Sequence, residues 1–189
     1  NIESLYKKIQ DRTAKVGIIG LGYVGLPIAV TIAKASFQTI GIDISKERVS
    51  QVRNGISYID DLSSETLAPL VKRGQIQATN DDDILNELDI INICVPTPLS
   101  KSKNPDISFV MKAVESVNRH LHSGQLVVLE STTYPGVTKD VILPQMEKTG
   151  LKVGEDFFLS FSPERIDPGN KIYSIENTPK IKTTSTARV

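Results

Sequence analysis

A single cysteine, Cys94, is all that the 189-residue sequence contains. No disulfide can form within the chain, and a reducing compartment, the cytoplasm, is the expected location. No apolar run approaches the roughly 18–20 residues that a membrane span needs. Residues 1–14 are polar and helix-like, without the apolar core of a signal peptide, and no initiating Met precedes them, as expected of a trimmed chain. An excess of charge of one sign is also lacking. Twenty-two Lys and Arg balance 22 Asp and Glu, so no net field draws the chain to nucleic acid or to an anionic membrane. What is there is an ordinary globular balance, 39% hydrophobic and 23% charged, in a length that buries a sizeable core.

Ile2, Leu5 and Ile9 space an amphipathic helix ahead of the main domain. Lys15 to Ile19 then reads as a buried strand, Gly20 to Gly25 as a turn, and Tyr23 to Ala35 as a helix of small apolar residues packed on a sheet, with Pro27 near its start. Gln38 to Asp43 is a second strand, followed by a helix capped by Ser45. Residues 54–63 read as a loop, Ser64 to Arg73 as a helix, and Ile76 to Thr79 as a third strand. Asp81, Asp82 and Asp83 open a short helix at its positive end. Asp89 to Val95 is a fourth strand that stops at Pro96-Thr97-Pro98, and residues 99–106 form a loop. A helix from Ser108 to His120, a strand from Leu126 to Leu129, a helix from about Gly136 to Lys148 and an apolar segment from Phe157 to Ser160 follow. The end of the chain, residues 181–189, reads as a polar, unstructured tail.

Strands and helices alternate, and the strands are continuous apolar runs rather than alternating ones. That combination predicts an α/β fold with a doubly wound parallel sheet and helices on both faces, over residues 15–180.

Gly20-Leu21-Gly22-Tyr23-Val24-Gly25 is a G-x-G-x-x-G pattern. Alone it is weak evidence. Here it follows a strand, opens a helix, and is matched by an acidic residue, Asp43, at the end of the next strand, which is the context of a Rossmann-like dinucleotide site. Gly20 permits the tight turn, Gly22 lets the backbone approach a pyrophosphate, and Gly25 brings the helix close to the strand. The N–H groups at the helix start face the phosphates. Asp43 accepts from the adenosine ribose hydroxyls and repels a 2′-phosphate, so NAD is expected over NADP, with Lys46 and Arg48 near enough to soften that preference. The bland alternative is that the glycines only shape a turn and Asp43 only caps a helix.

Four stretches together resemble the UDP-glucose/GDP-mannose dehydrogenases: residues 20–27 (Gly20 to Pro27), 95–98 (Val95 to Pro98), 130–136 (Glu130-Ser131-Thr132-Thr133-Tyr134-Pro135-Gly136) and 161–170 (Phe161-Ser162-Pro163-Glu164-Arg165-Ile166-Asp167-Pro168-Gly169-Asn170). The last, continued through Lys180, is most similar to the UDP-N-acetylhexosamine 6-dehydrogenases, with UDP-N-acetylglucosamine favoured over UDP-N-acetylmannosamine as substrate. The resemblance implies a two-step, NAD-dependent oxidation of the sugar's C6 alcohol to a carboxylate through a thioester on an active-site cysteine. It implies that Tyr23, Val24, Asp43, Arg48, Thr97 and Thr132 line the cofactor site and that Arg165 and Ile166 meet the UDP-sugar. Glu164 would be the carboxylate near the reacting carbon, an acid/base in thioester hydrolysis. It also implies a full-length homo-oligomer with central and UDP-binding domains beyond this sequence, so that the chain binds NAD without turning over.

The residues carry plainer readings as well. Pro96-Thr97-Pro98 terminates a strand, Thr132 suits a cap, and Glu164 with Arg165 suits a surface ion pair. Cys94, between Ile93 and Val95, reads as an inert core residue, and His120 and His122 as solvated or dipole-complementing side chains near a helix end. Three functions compete: a UDP-sugar dehydrogenase fragment (N-acetylhexosamine, glucose or GDP-mannose type), another NAD-linked reductase such as a β-hydroxyacid dehydrogenase, and a non-catalytic NAD-binding module.

Overall fold

The computed structural model describes residues 2–99 and 105–162 and the backbone of Thr183–Thr184. Five β-branched or leucine-rich runs form parallel strands together with the chain's last apolar segment: β1 (Lys15–Ile19), β2 (Gln38–Ile42), β3 (Ile76–Thr79), β4 (Ile90–Ile93), β5 (Leu126–Leu129) and β6 (Phe158–Phe161). The sheet order is β3-β2-β1-β4-β5-β6, closed by β7 (Thr183–Thr184), which pairs antiparallel with Ser160 and Phe161 of β6. The fold is a Rossmann-like doubly wound α/β sheet, as the strand pattern predicts. The two-residue β7 lies in the segment read as an unstructured tail. An edge strand presents unpaired N–H and C=O groups, and adjacent threonines suit a strand that covers them.

The α-helices among the described residues are α1 (Ile2–Gln10), α2 (Gly25–Lys34), α3 (Lys46–Arg53), α4 (Ser64–Lys72), α5 (Ser108–His120) and α6 (Leu143–Glu147). Two cores result. Leu26, Val30, Val49, Val52, Leu67 and Leu70 from α2, α3 and α4 pack with Val16, Ile18 and Ile76 on one side. Val110, Val114, Val117, Ile142 and Met146 pack with Ile91, Val127 and Leu159 on the other. Burying one such side chain contributes about 1.5–3 kcal/mol. Sheet and helices are therefore held on both faces.

Local differences from the sequence reading have local causes. α2 starts at Gly25 rather than Tyr23, because Gly22 to Val24 belong to the turn. The short helix opened by the aspartates is a single 3-10 turn, Asp83–Glu87, with Asp82 at its N-cap; Leu85 and the following Leu88 are buried, and five residues suffice to reach β4. The helix expected from Gly136 to Lys148 begins as a π-turn, Val137–Ile142, and becomes α only at Leu143. Gly136, at φ 94°, sets that start, and the Asp140 N–H donates to its carbonyl at 2.7 Å. Of the two readings of His120, solvated or dipole-complementing, its place fits the second: it lies in the last turn of α5 with its side chain 11% exposed and Nε2 3.8 Å from Asp83 Oδ1.

Candidate cofactor site

β1 and β4 are adjacent, and the chain winds away from them in opposite directions. The crevice for ligands in such a sheet lies beyond the carboxyl ends of those two strands. Three loops meet there. The turn after β1 begins at Gly20, whose N–H donates to the Ile42 carbonyl at 2.8 Å and whose φ is 94°. A Cβ at Gly20 would stand 2.9 Å from the Cys94 carbonyl oxygen and 3.2 Å from Val95 Cα, so this glycine lets the first turn lie directly on the end of β4.

The other two glycines have opposite surroundings. A Cβ on Gly25 would sit 1.8 Å from the Gly20 carbonyl oxygen and 3.2 Å from Cys94 Cβ. The close approach expected of Gly25 is therefore to the turn and to β4's end. A Cβ on Gly22 would meet nothing within 4 Å. Past Gly22, Tyr23 is 61% exposed and Val24 is half-buried at the N-cap of α2. Among the described residues, no acceptor meets the main-chain N–H groups of Gly22, Tyr23 or Val24, and the first turn of α2 holds no acidic side chain. Unpaired donors at the positive end of a ten-residue helix suit a pyrophosphate.

Asp43 ends β2 with its side chain 4% exposed. Oδ2 accepts the Leu21 N–H at 2.7 Å and lies 3.6 Å from Arg48 Nη1, and Oδ1 accepts the Ser45 N–H at 2.8 Å. The Asn80 side-chain amide donates to the Asp43 carbonyl at 2.7 Å. A carboxylate offers about four lone-pair directions, so two main-chain donors leave room for ribose hydroxyls. Ser45 is the N-cap of α3 as predicted, its Oγ accepting the Arg48 N–H at 3.3 Å.

Thr97 and Thr132 lie just beyond β4 and β5, half-buried and exposed respectively. What brings their loops together is Ser131, a residue of the 130–136 stretch to which the sequence assigns no role. Its buried Oγ donates toward the Val95 carbonyl at 2.7 Å and the Ile93 carbonyl at 3.3 Å, while the Glu130 and Ser131 N–H groups donate to the same Ile93 carbonyl at 3.0 and 3.2 Å. Tyr58 was missed entirely. It lies in the loop between α3 and α4, its hydroxyl donates to the Leu21 carbonyl at 2.6 Å, and its ring lies 5.9 Å below the Arg48 guanidinium. Burial, and then the Asp43 charge, push its phenol up to about 12. Lone tyrosines in loops carry no pattern that marks such a contact. Cys94 is buried at the end of β4, as expected. Glu164, Arg165 and Ile166 lie outside the described residues.

Over residues 14–187 the chain matches the model of the UDP-glucose/GDP-mannose dehydrogenase family, NAD binding domain. The chain belongs to that family. It is 38% identical over 175 residues to Protein CapL of Staphylococcus aureus and 38% identical over 177 residues to the UDP-N-acetyl-D-glucosamine 6-dehydrogenase of Salmonella typhi. These alignments cover 92% and 93% of the chain but 40% of each relative, so the chain spans about two-fifths of their length. The crystal structure of an NDP-N-acetyl-D-galactosaminuronic acid dehydrogenase from Methanosarcina mazei Go1 superposes with a TM-score of 0.84 at 32% identity, over 95% of this chain and 41% of that one. Membership of this dehydrogenase family decides between the competing reductase classes and fixes the cofactor as NAD. Among the described residues no helix is long and apolar enough to cross a membrane.

Proposed function

We propose that this chain is the NAD-binding part of a UDP-N-acetylhexosamine 6-dehydrogenase. The observation that carries the reading is the turn at Gly20–Gly25, where among the described residues no acceptor meets the Gly22, Tyr23 and Val24 N–H groups and the buried Asp43 carboxylate holds the Leu21 N–H. When bound there, NAD supplies a hydride acceptor. In the whole protein the sugar's C6 alcohol loses two hydrides in turn, and water supplies the second oxygen of the carboxylate. Relatives named for UDP-N-acetyl-D-glucosamine and UDP-N-acetyl-D-mannosamine support this substrate class.

The residue roles we assign are supported by position for the described residues and by the family resemblance for the others. Gly22, Tyr23 and Val24 bind the pyrophosphate through their N–H groups, and Asp43 binds the adenosine ribose, with Arg48 beside it. Thr97 and Thr132 border the crevice from the β4 and β5 loops. Arg165 and Ile166 are assigned to the sugar nucleotide, and Glu164 to proton transfer at the reacting carbon. The one cysteine, Cys94, is buried under the glycine turn and is not the thioester-forming nucleophile. On this reading the chain binds NAD, does not turn over alone, and works in the cytoplasm as part of a homo-oligomer.

Calorimetric titration with NAD and NADP in parallel tests it. NAD binding clearly tighter than NADP supports Asp43 as ribose acceptor. Binding of neither removes the basis of the site.

A further inference from the structure

Leu21 is the fixed point of the cofactor turn. Its side chain is 1% exposed and fits only because β2 carries Gly41 opposite it: a Cβ there would lie 2.6 Å from Leu21 Cδ2. Its N–H is held by Asp43, and its carbonyl by the Tyr58 hydroxyl, 37 residues along the chain. The next residue, Gly22, has no side chain; its carbonyl accepts the Leu26 N–H at 3.1 Å, and among the described residues no acceptor meets its own N–H. Glycine is the residue with most backbone freedom to lose, so the peptide that carries its N–H must also be held if that N–H is to meet a phosphate.

The peptide joining Leu21 to Gly22 is trans, and a planar trans peptide points its carbonyl and its N–H in opposite directions. Whatever holds the Leu21 oxygen also aims the Gly22 N–H. Tyr58 holds that oxygen, so the Gly22 N–H is turned away from Tyr58, and among the described residues no acceptor meets it. The same ring lies below the Arg48 guanidinium, whose Nη1 faces Asp43. One side chain thus borders both the pyrophosphate turn and the ribose acceptor.

We propose that Tyr58 is a positioning residue of the NAD site, its hydroxyl holding the Leu21 carbonyl so that the Gly22 N–H is presented to the pyrophosphate. The proposal rests on the cofactor reading above and adds to it a residue outside the glycine motif.

Tyr58→Phe keeps the ring under Arg48 and removes only the hydroxyl. Calorimetry on the 189-residue chain should show its NAD Kd raised about tenfold, the scale of one lost buried hydrogen bond. ADP-ribose, which carries the pyrophosphate, should lose the same factor, and AMP, which lacks it, less than about twofold. A purely structural residue would instead lower Tm and weaken all three ligands alike, or none; either pattern overturns the proposal. In the wild-type chain, whatever the variant's folding, NAD should slow hydrogen exchange of the Gly22 amide, and an unchanged amide also overturns it. Wild-type chain that binds no NAD would remove the cofactor reading and the proposal together. Wild-type binding with an unimpaired Tyr58→Phe removes the proposal alone.

Discussion

Asp43 Oδ2 accepts the Leu21 N–H at 2.7 Å, joining the end of β2 to the turn after β1 across a sequence gap of 22 residues. The bond braces the glycine turn, and on the proposed reading the carboxylate's remaining lone pairs accept from the ribose hydroxyls. Asp43→Ala should therefore show both losses. The orphaned Leu21 and Ser45 N–H groups should cost about 1–3 kcal/mol for the buried one, read as a lower Tm. NAD affinity should fall tenfold or more, and the NAD-to-NADP affinity ratio should move toward one, since the charge that repels a 2′-phosphate is gone. A ratio unchanged from wild type would show that Asp43 only braces the turn.

Gly22 and Gly25, three residues apart, separate folding from binding. At Gly25 a methyl group would meet the Gly20 main-chain carbonyl oxygen at 1.8 Å, and a main-chain atom cannot move away cheaply. Gly25→Ala should destabilise the chain by about 3 kcal/mol, near the top of the range for overpacking. That corresponds to a Tm lower by roughly 6–12 °C for a chain of this size. Gly22→Ala meets nothing, so Tm should change by no more than about 2 °C, while NAD binding falls by about tenfold or more because the added methyl stands where a ligand must approach. Thermal melts and titrations on the pair check both. Equal Tm losses would contradict the open surroundings of Gly22.

These contrasts mark where sequence stops informing structure. Regular strands were legible because apolar runs flanked by Gly, Pro and Asp have few alternatives: β1, β3 and β5 begin and end where the runs do. The glycine turn was legible because its chemistry is local. The π-turn at Val137–Ile142 was not, because its hydrogen-bond register depends on Gly136 entering the left-handed region and on the seating of Val137 and Ile142 in the core. Tyr58 and Ser131 were illegible for a related reason. Each acts on a main-chain carbonyl 36 or 37 residues away, and a carbonyl carries no residue identity for a pattern to find.

Acid stability offers a test remote from the crevice. The Ser116 hydroxyl donates to Asp82 Oδ2, and Arg119 donates to the same oxygen. The hydrogen bond from Ser116, then the hydrogen bond and charge of Arg119, hold the Asp82 carboxyl below its usual value. A carboxylate whose folded pKa is lowered binds its proton more weakly in the folded state, so its contribution is present above the unfolded value near 4 and is lost as pH falls through the lowered one. Tm measured from pH 6 down to pH 2.5 should fall less steeply below pH 4 in Asp82→Asn than in wild type. Parallel curves would mean that this surface cluster does not contribute.

Ser131 joins the two loops that carry Thr97 and Thr132. Its hydroxyl is buried, and it sits between the carbonyls of Ile93 and Val95 at the end of β4. In Ser131→Ala those carbonyls lose this donor; Ile93 keeps its main-chain partners, whereas Val95 loses its Ser131 contact. The cost should be about 1–3 kcal/mol, a Tm shift of roughly 2–12 °C. If the hydroxyl sets the spacing of the two loops, NAD affinity should fall several-fold as well, and Ser131→Thr, which keeps a hydroxyl, should bind NAD more tightly than Ser131→Ala. A loss of stability with unchanged NAD affinity in Ser131→Ala would confine the residue to the sheet and remove its loops' spacing from the account of the cofactor site.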